Sequence, residues 1–179
     1  MTQAALGRKI SEVGILGTRR LVRGFRCYAH ADRVLAADLF RLLGPRLQIN
    51  NRGLDLSIWS DEHVLVGELW DAEIRRAIAA ADFALLLLSP AFLSRAYLKG
   101  VEIPLLLAAP GTLVMPVGLQ RVDLARSDLQ GLDGHQIFRF RDPSHEDGRW
   151  FADLRGENRA RFADELATQI VDRLVLPTP

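Results

Sequence analysis

Cysteine is almost missing from this sequence: Cys27 stands alone among 179 residues, so no internal disulfide can form. A single thiol fits a reducing compartment. Histidine is also sparse. His30, His63, His135 and His145 are scattered without metal-ligand spacing, which leaves no zinc motif. No G-x-G-x-x-G follows the first predicted strand, and there is neither a P-loop lysine motif nor a G-x-S-x-G elbow. The familiar phosphate cradles and the serine nucleophile of many hydrolases are therefore excluded. Net charge is only +1, so no overall field draws the chain to nucleic acid or to a membrane surface. No apolar run is long enough to cross a bilayer, and no secretory h-region lies near the start. These absences together read as a cytosolic protein without a metal.

What is present is ordinary globular material, 49% hydrophobic and 25% charged, enough for one domain with a real core. The charge is uneven. Residues 1–23 carry Arg8, Lys9, Arg19, Arg20 and Arg23 against Glu12 alone, which is +4 and leaves −3 for the rest. This stretch reads as a basic N-terminal extension, with residues 24–176 as the domain. Residues 177–179 read as a tail or the start of a linker, as in a piece of a longer protein or a separate subunit.

The longest apolar run, residues 83–88, is stopped by Ser89-Pro90 and suits a strand buried on both faces of a parallel sheet. A polar turn follows, then a helix over 97–107 with Leu98, Val101, Leu105 and Leu106 turned inward and Glu102 in mostly apolar company. Before it come a strand over 24–29, a helix over 34–43 ended by Gly44-Pro45, an alternating edge strand over 54–59, a loop over 60–70 and a helix over 71–81. After it come a fourth strand over 112–119, a fifth over 136–140, a charged loop over 141–148 and a closing helix over 157–176. Pro116 removes a ladder donor and puts the fourth strand near an edge or at a bulge. Cys27, inside the first strand, reads as core rather than as a nucleophile.

Strands alternating with helices mean parallel crossovers, with helices on both faces of the sheet. Five such strands predict the order 2-1-3-4-5, and ligands in such sheets bind beyond the carboxyl ends where the order reverses. That point lies between the first and third strands, so residues 28–32, residues 89–93 and the loop 60–70 converge there. Glu102 follows two to three turns into the next helix.

These segments carry a resemblance. Tyr28-Ala-His-Ala-Asp32, Trp59-Ser-Asp61, Gly67-Glu-Leu-Trp70, Ala77-Ile-Ala-Ala-Ala-Asp82, Leu88-Ser-Pro-Ala-Phe-Leu-Ser94, Tyr97, Glu102-Ile-Pro104 and Met115-Pro-Val117 follow one another as in a bacterial TIR domain. The likeness runs from Gly24 to about Leu176. It implies a flavodoxin-like three-layer sandwich. Many prokaryotic members cleave NAD⁺ at the nicotinamide–ribose bond, often in anti-phage defence, and their essential glutamate falls at Glu102. The resemblance thus implies NAD⁺ as a substrate rather than a cofactor, and nicotinamide with linear or cyclic ADP-ribose as products.

Glu102 is accordingly the candidate catalytic residue. Tyr28, Ala29, His30, Trp59, Asp61, Phe92 and Tyr97 are the candidates for the substrate side. Tyr28 and Phe92 read equally as core, and Asp61 equally as an Asx-turn. Trp59 and Trp70 read as anchors of the loop, His30 as a loop residue without a proton to transfer, and Trp150 and Phe151 as packing under the closing helix. The resemblance also implies partners: other TIR copies in a homo-oligomer or filament, and a sensor domain or subunit outside this chain. Two other readings stand beside the enzyme. One is an adaptor that acts only by binding other TIR domains, with the 60–70 loop as its interface. The other is a nucleoside deoxyribosyltransferase-like hydrolase of similar fold.

Overall fold

The computed structural model describes residues 19–59, 70–95 and 98–175. All six residues of β3 (Phe83–Leu88) are buried. Its neighbours explain the unbroken apolar run. Strand β1 (Arg20–Cys27) pairs with it in parallel on one side and β4 (Leu113–Gly118) on the other, with β2 (Leu54–Trp59) outside β1. The sheet is parallel, four-stranded and ordered β2-β1-β3-β4. Strand residues alternate between faces, and both faces of β3 are covered. Phe83, Leu85 and Leu87 enter a core with α1 (Arg33–Ile49) and α5 (Gly156–Val175). Ala84, Leu86 and Leu88 enter a second core with α2 (Trp70–Ala79), α3 (Pro90–Ser94) and α4 (Ile103–Ala108).

Several expectations are corrected. The predicted fifth strand shrinks to one parallel bridge between Val117 and Phe138. The Phe138 N–H donates to the Pro116 carbonyl at 2.8 Å, and the Gly118 N–H to the Phe138 carbonyl at 2.9 Å. Pro116 has no N–H to extend that ladder toward Gln136, so the pairing stops. The expected charged loop is instead an antiparallel hairpin of β5 (Phe140–Asp142) and β6 (His145–Arg149). Strand β1 begins at Arg20, inside the stretch read as an extension. Trp150 packs in the α2–α4 core rather than under α5, whereas Phe151 does meet Phe162 of α5 edge-on at 5.2 Å.

Helix α1 runs straight through Gly44-Pro45, where the sequence predicts its end. Proline removes one intrahelical bond, but Leu43 and Leu47 on either side of it are buried against the core. Arg46 adds a bond from Nε to Asp164 Oδ1 of α5 at 2.5 Å and one from Nη1 to the Leu42 carbonyl at 2.7 Å. Tertiary packing here outweighs local propensity.

Asp38 provides a second tie between α1 and α5, because Arg159 donates to it while also donating through Nε to the Leu154 carbonyl. A hydrogen bond from Arg41, together with the charge and hydrogen bond of Arg159, lowers the Asp38 carboxyl below its ordinary value of 3.8 despite partial burial. A depressed folded-state pKa contributes stability that is complete above the unfolded value and lost as pH falls through the folded one. Asp38→Asn should therefore be less stable than wild type at neutral pH. The two urea-unfolding curves should converge as pH drops below 3.8. A gap that persists in acid would place the effect elsewhere.

Candidate functional site

Beyond β3, Ser89 starts α3 by accepting a hydrogen bond from the Phe92 N–H at 2.9 Å, with Pro90 in the first turn where its missing N–H costs no ladder bond. The chain then forms a π-helical turn, Leu98–Glu102, which runs directly into α4. The sequence predicts one regular helix here with Val101 and Leu105 inward. A π turn holds an extra residue, and the phase shifts so that Glu102, Ile103 and Leu106 are the buried positions. The side chain of Leu98 lies outside the described residues.

Glu102 is therefore only 7% exposed and faces the sheet. Its Oε2 accepts from the Cys27 thiol at 2.8 Å, at the carboxyl end of β1. Cys27 and Phe25 share that face of β1, and Trp59 at the end of β2 stacks on Phe25 with centroids 5.2 Å apart and planes 9° from parallel. Among the described residues the cleft is walled by Phe25, Cys27, Trp59, Ile74, Arg95 and Glu102, with Arg26 and Tyr28 at its rim. It thus combines a buried carboxylate, a flat aromatic pair and a cation. Its free volume is ≈ 20 Å³, enough for about one water molecule.

The predicted residues divide. Glu102 and Trp59 come together in this cleft. Tyr28 reaches the rim, but its ring belongs to the α1/α5 core, and the Arg26 guanidinium stands 5.8 Å from its centroid. Ala29 is buried in the α2–α4 core, and Phe92 is fully buried beneath the cleft rather than lining it. His30 is exposed at the start of a 3-10 turn, His30–Asp32. Asp61, Tyr97, the 60–69 loop and the side chain of Trp70 lie outside the described residues. Arg95 is not among the sequence candidates, and its one signal is that it is the first basic residue after the third strand. The sequence reads Cys27 as core. It is buried, yet it also touches the carboxylate.

A second polar constellation ties the strand ends together. Asp32 is 3% exposed. Ser89 donates to its Oδ2 at 2.5 Å and the Gln120 amide to its Oδ1 at 2.7 Å, so the segments after β1, β3 and β4 meet on one carboxylate. Ser89 both donates to Asp32 and accepts from Phe92, which fixes α3 at the floor of the crevice. Asp32→Ala would leave the buried Ser89 hydroxyl and the Gln120 amide without this acceptor, at a cost of about 1–3 kcal/mol. Chemical denaturation checks this: the midpoint should fall while the denaturant slope stays constant.

A parallel sheet ordered 2-1-3-4, helices on both faces and a polar crevice at the carboxyl ends of the first and third strands define a flavodoxin-like α/β domain. The sequence profile described as "TIR domain" matches residues 25–155, and the chain belongs to that family. Among solved structures it is similar to the RPS4 and RRS1 TIR domain heterodimer, with a TM-score of 0.52 and 14% identity over 86% of this chain and 97% of that one. At that identity the likeness concerns the fold. No curated protein matches. Among the described residues, no helix is long and apolar enough to cross a membrane, and no group of three or more His, Cys, Asp or Glu could hold a metal.

Proposed function

We propose that this TIR domain cleaves NAD⁺ between nicotinamide and ribose, with Glu102 as the catalytic carboxylate. The observation that carries the reading is the burial of Glu102 against Cys27, in a cleft that also holds Trp59 and Arg95. Nicotinamide leaves with the electron pair of the C–N bond and becomes neutral, so no general acid is required. Positive charge builds instead on the ribose, as in glycoside cleavage. A fixed carboxylate out of water is suited to stabilise that charge. Water then attacks C1′ and releases a proton, giving ADP-ribose. In the cyclising variant an adenine nitrogen takes the place of water. Trp59 and Phe25 offer stacking surface, and Arg95 offers charge for the pyrophosphate.

The cleft volume of ≈ 20 Å³ is too small for a ribose, so substrate entry must displace part of the wall. Contacts between TIR copies are one means of doing so, and the structurally similar protein is a heterodimer of TIR domains. The same likeness is compatible with a second reading, in which the chain binds other TIR domains and performs no chemistry. One experiment separates them. Purified chain is incubated with NAD⁺ over a range of protein concentrations, and nicotinamide is measured by chromatography. Release that rises more steeply than in proportion to concentration is expected. Self-association with no nicotinamide at any concentration would leave only the binding role.

A further inference from the structure

The missing fifth strand leaves a cavity. It lies at the β4 edge beside α5, with residues 134–139 forming one wall. Its volume is ≈ 290 Å³, at the lower end of the range for small-molecule sites. Its polar lining is mixed. Arg139, Arg141 and Arg173 line it, none with an ion-pair partner among the described residues. Arg173 shares α5 with Glu165 and Gln169, whereas Arg139 and Arg141 lie at the start of β5.

Two further observations mark this cavity as incomplete by itself. Among the described residues, Arg139 Nε and His135 Nδ1 are buried without a hydrogen-bond partner, and both residues line it. Buried polar atoms left in this way call for an explanation, commonly an ion, water or ligand. Glu165 is the second: burial is the main cause raising its carboxyl above the usual value, with Arg161 opposing and Asp164 adding to the rise. Arg139 is held in place over Trp150, with its guanidinium carbon 5.9 Å from the ring centroid.

We propose that this cavity is a second ligand site, which takes a phosphomonoester of mononucleotide size. The planar guanidinium fork matches phosphate oxygens, and three of them supply more charge than a single carboxylate would use. Glu165 and Gln169 stand where the hydroxyl or amino groups of the same ligand would donate. The site rests on its own residues and stands whether or not Glu102 performs chemistry.

The test is calorimetric titration of the full chain with AMP, ribose 5-phosphate, inorganic phosphate and adenosine at matched ionic strength. Saturable binding of AMP or ribose 5-phosphate is expected, and their relative affinities tell a nucleotide from a sugar phosphate. Adenosine, which lacks the phosphate, should not bind. Arg141 and Arg173 are both exposed, so the Arg141→Ala/Arg173→Ala variant should keep its fold. It should lose about tenfold or more in affinity, the effect of removing two charge-assisted contacts. Affinity unchanged in that variant, adenosine binding as tightly as AMP, or no saturable binding by either phosphomonoester would each overturn the proposal.

Discussion

Glu102→Gln should lose about 10²–10³-fold in the rate of nicotinamide release, equivalent to about 3–4 kcal/mol of transition-state stabilisation. Glutamine keeps the length and shape of the side chain, and its amide oxygen still accepts from the Cys27 thiol 2.8 Å away. It removes only the charge. A neutral amide cannot offset the positive ribose, so the effect belongs in turnover rather than in substrate affinity. Folding should survive, because a buried neutral amide is cheaper to desolvate than a carboxylate. Circular dichroism and the thermal midpoint therefore serve as controls within the same experiment. Cys27→Ser, which keeps a donor at that position, should retain most of the activity. If the glutamine variant turned over NAD⁺ at the normal rate, Glu102 would have no part in the chemistry, whatever its burial.

Much of the layout behind that experiment can be read from residue patterns, and the failures have physical causes. The run from Phe83 to Leu88 is apolar at every position because two helical layers cover β3, so its place in the centre is legible. Glu102 is legible as facing the crevice, but the helical phase that buries it is not. That depends on a π turn, which shifts the helical phase after Leu98 and has no propensity signature of its own. The fifth strand has the right alternation, yet it fails for want of one N–H at Pro116 on its neighbour. The Asp32 constellation was hidden for a different reason. Asp32 has the local look of a helix cap, while its partners Ser89 and Gln120 stand 57 and 88 residues along the chain. Contacts of that range arise only once the strand order has brought the loops together.

Phe83→Ala should destabilise the core on the α1/α5 face by about 3–5 kcal/mol. Phe83 is fully buried, and its register partner across the β1–β3 ladder is Gly24. The ring lies over that glycine: a Cβ placed on Gly24 would come within 2.4 Å of Phe83 Cζ and 2.7 Å of Cε1. The ring thus fills the space that a side chain on β1 would otherwise occupy, and its removal leaves a hole beside a glycine that has no side chain to fill it. For a chain of this size the loss corresponds to a fall of about 6–20 °C in the thermal midpoint. Gly24→Ala should also destabilise, by about 1–3 kcal/mol, because it drives a methyl into a ring that has no room to move. The two changes should not add. Without the ring the methyl enters empty space, so Gly24→Ala should cost little or even stabilise in the Phe83→Ala background. Urea unfolding of the four proteins gives the coupling directly. Additive costs would mean that the ring does not cover Gly24, and the explanation for a glycine in the middle of β1 would fail with it.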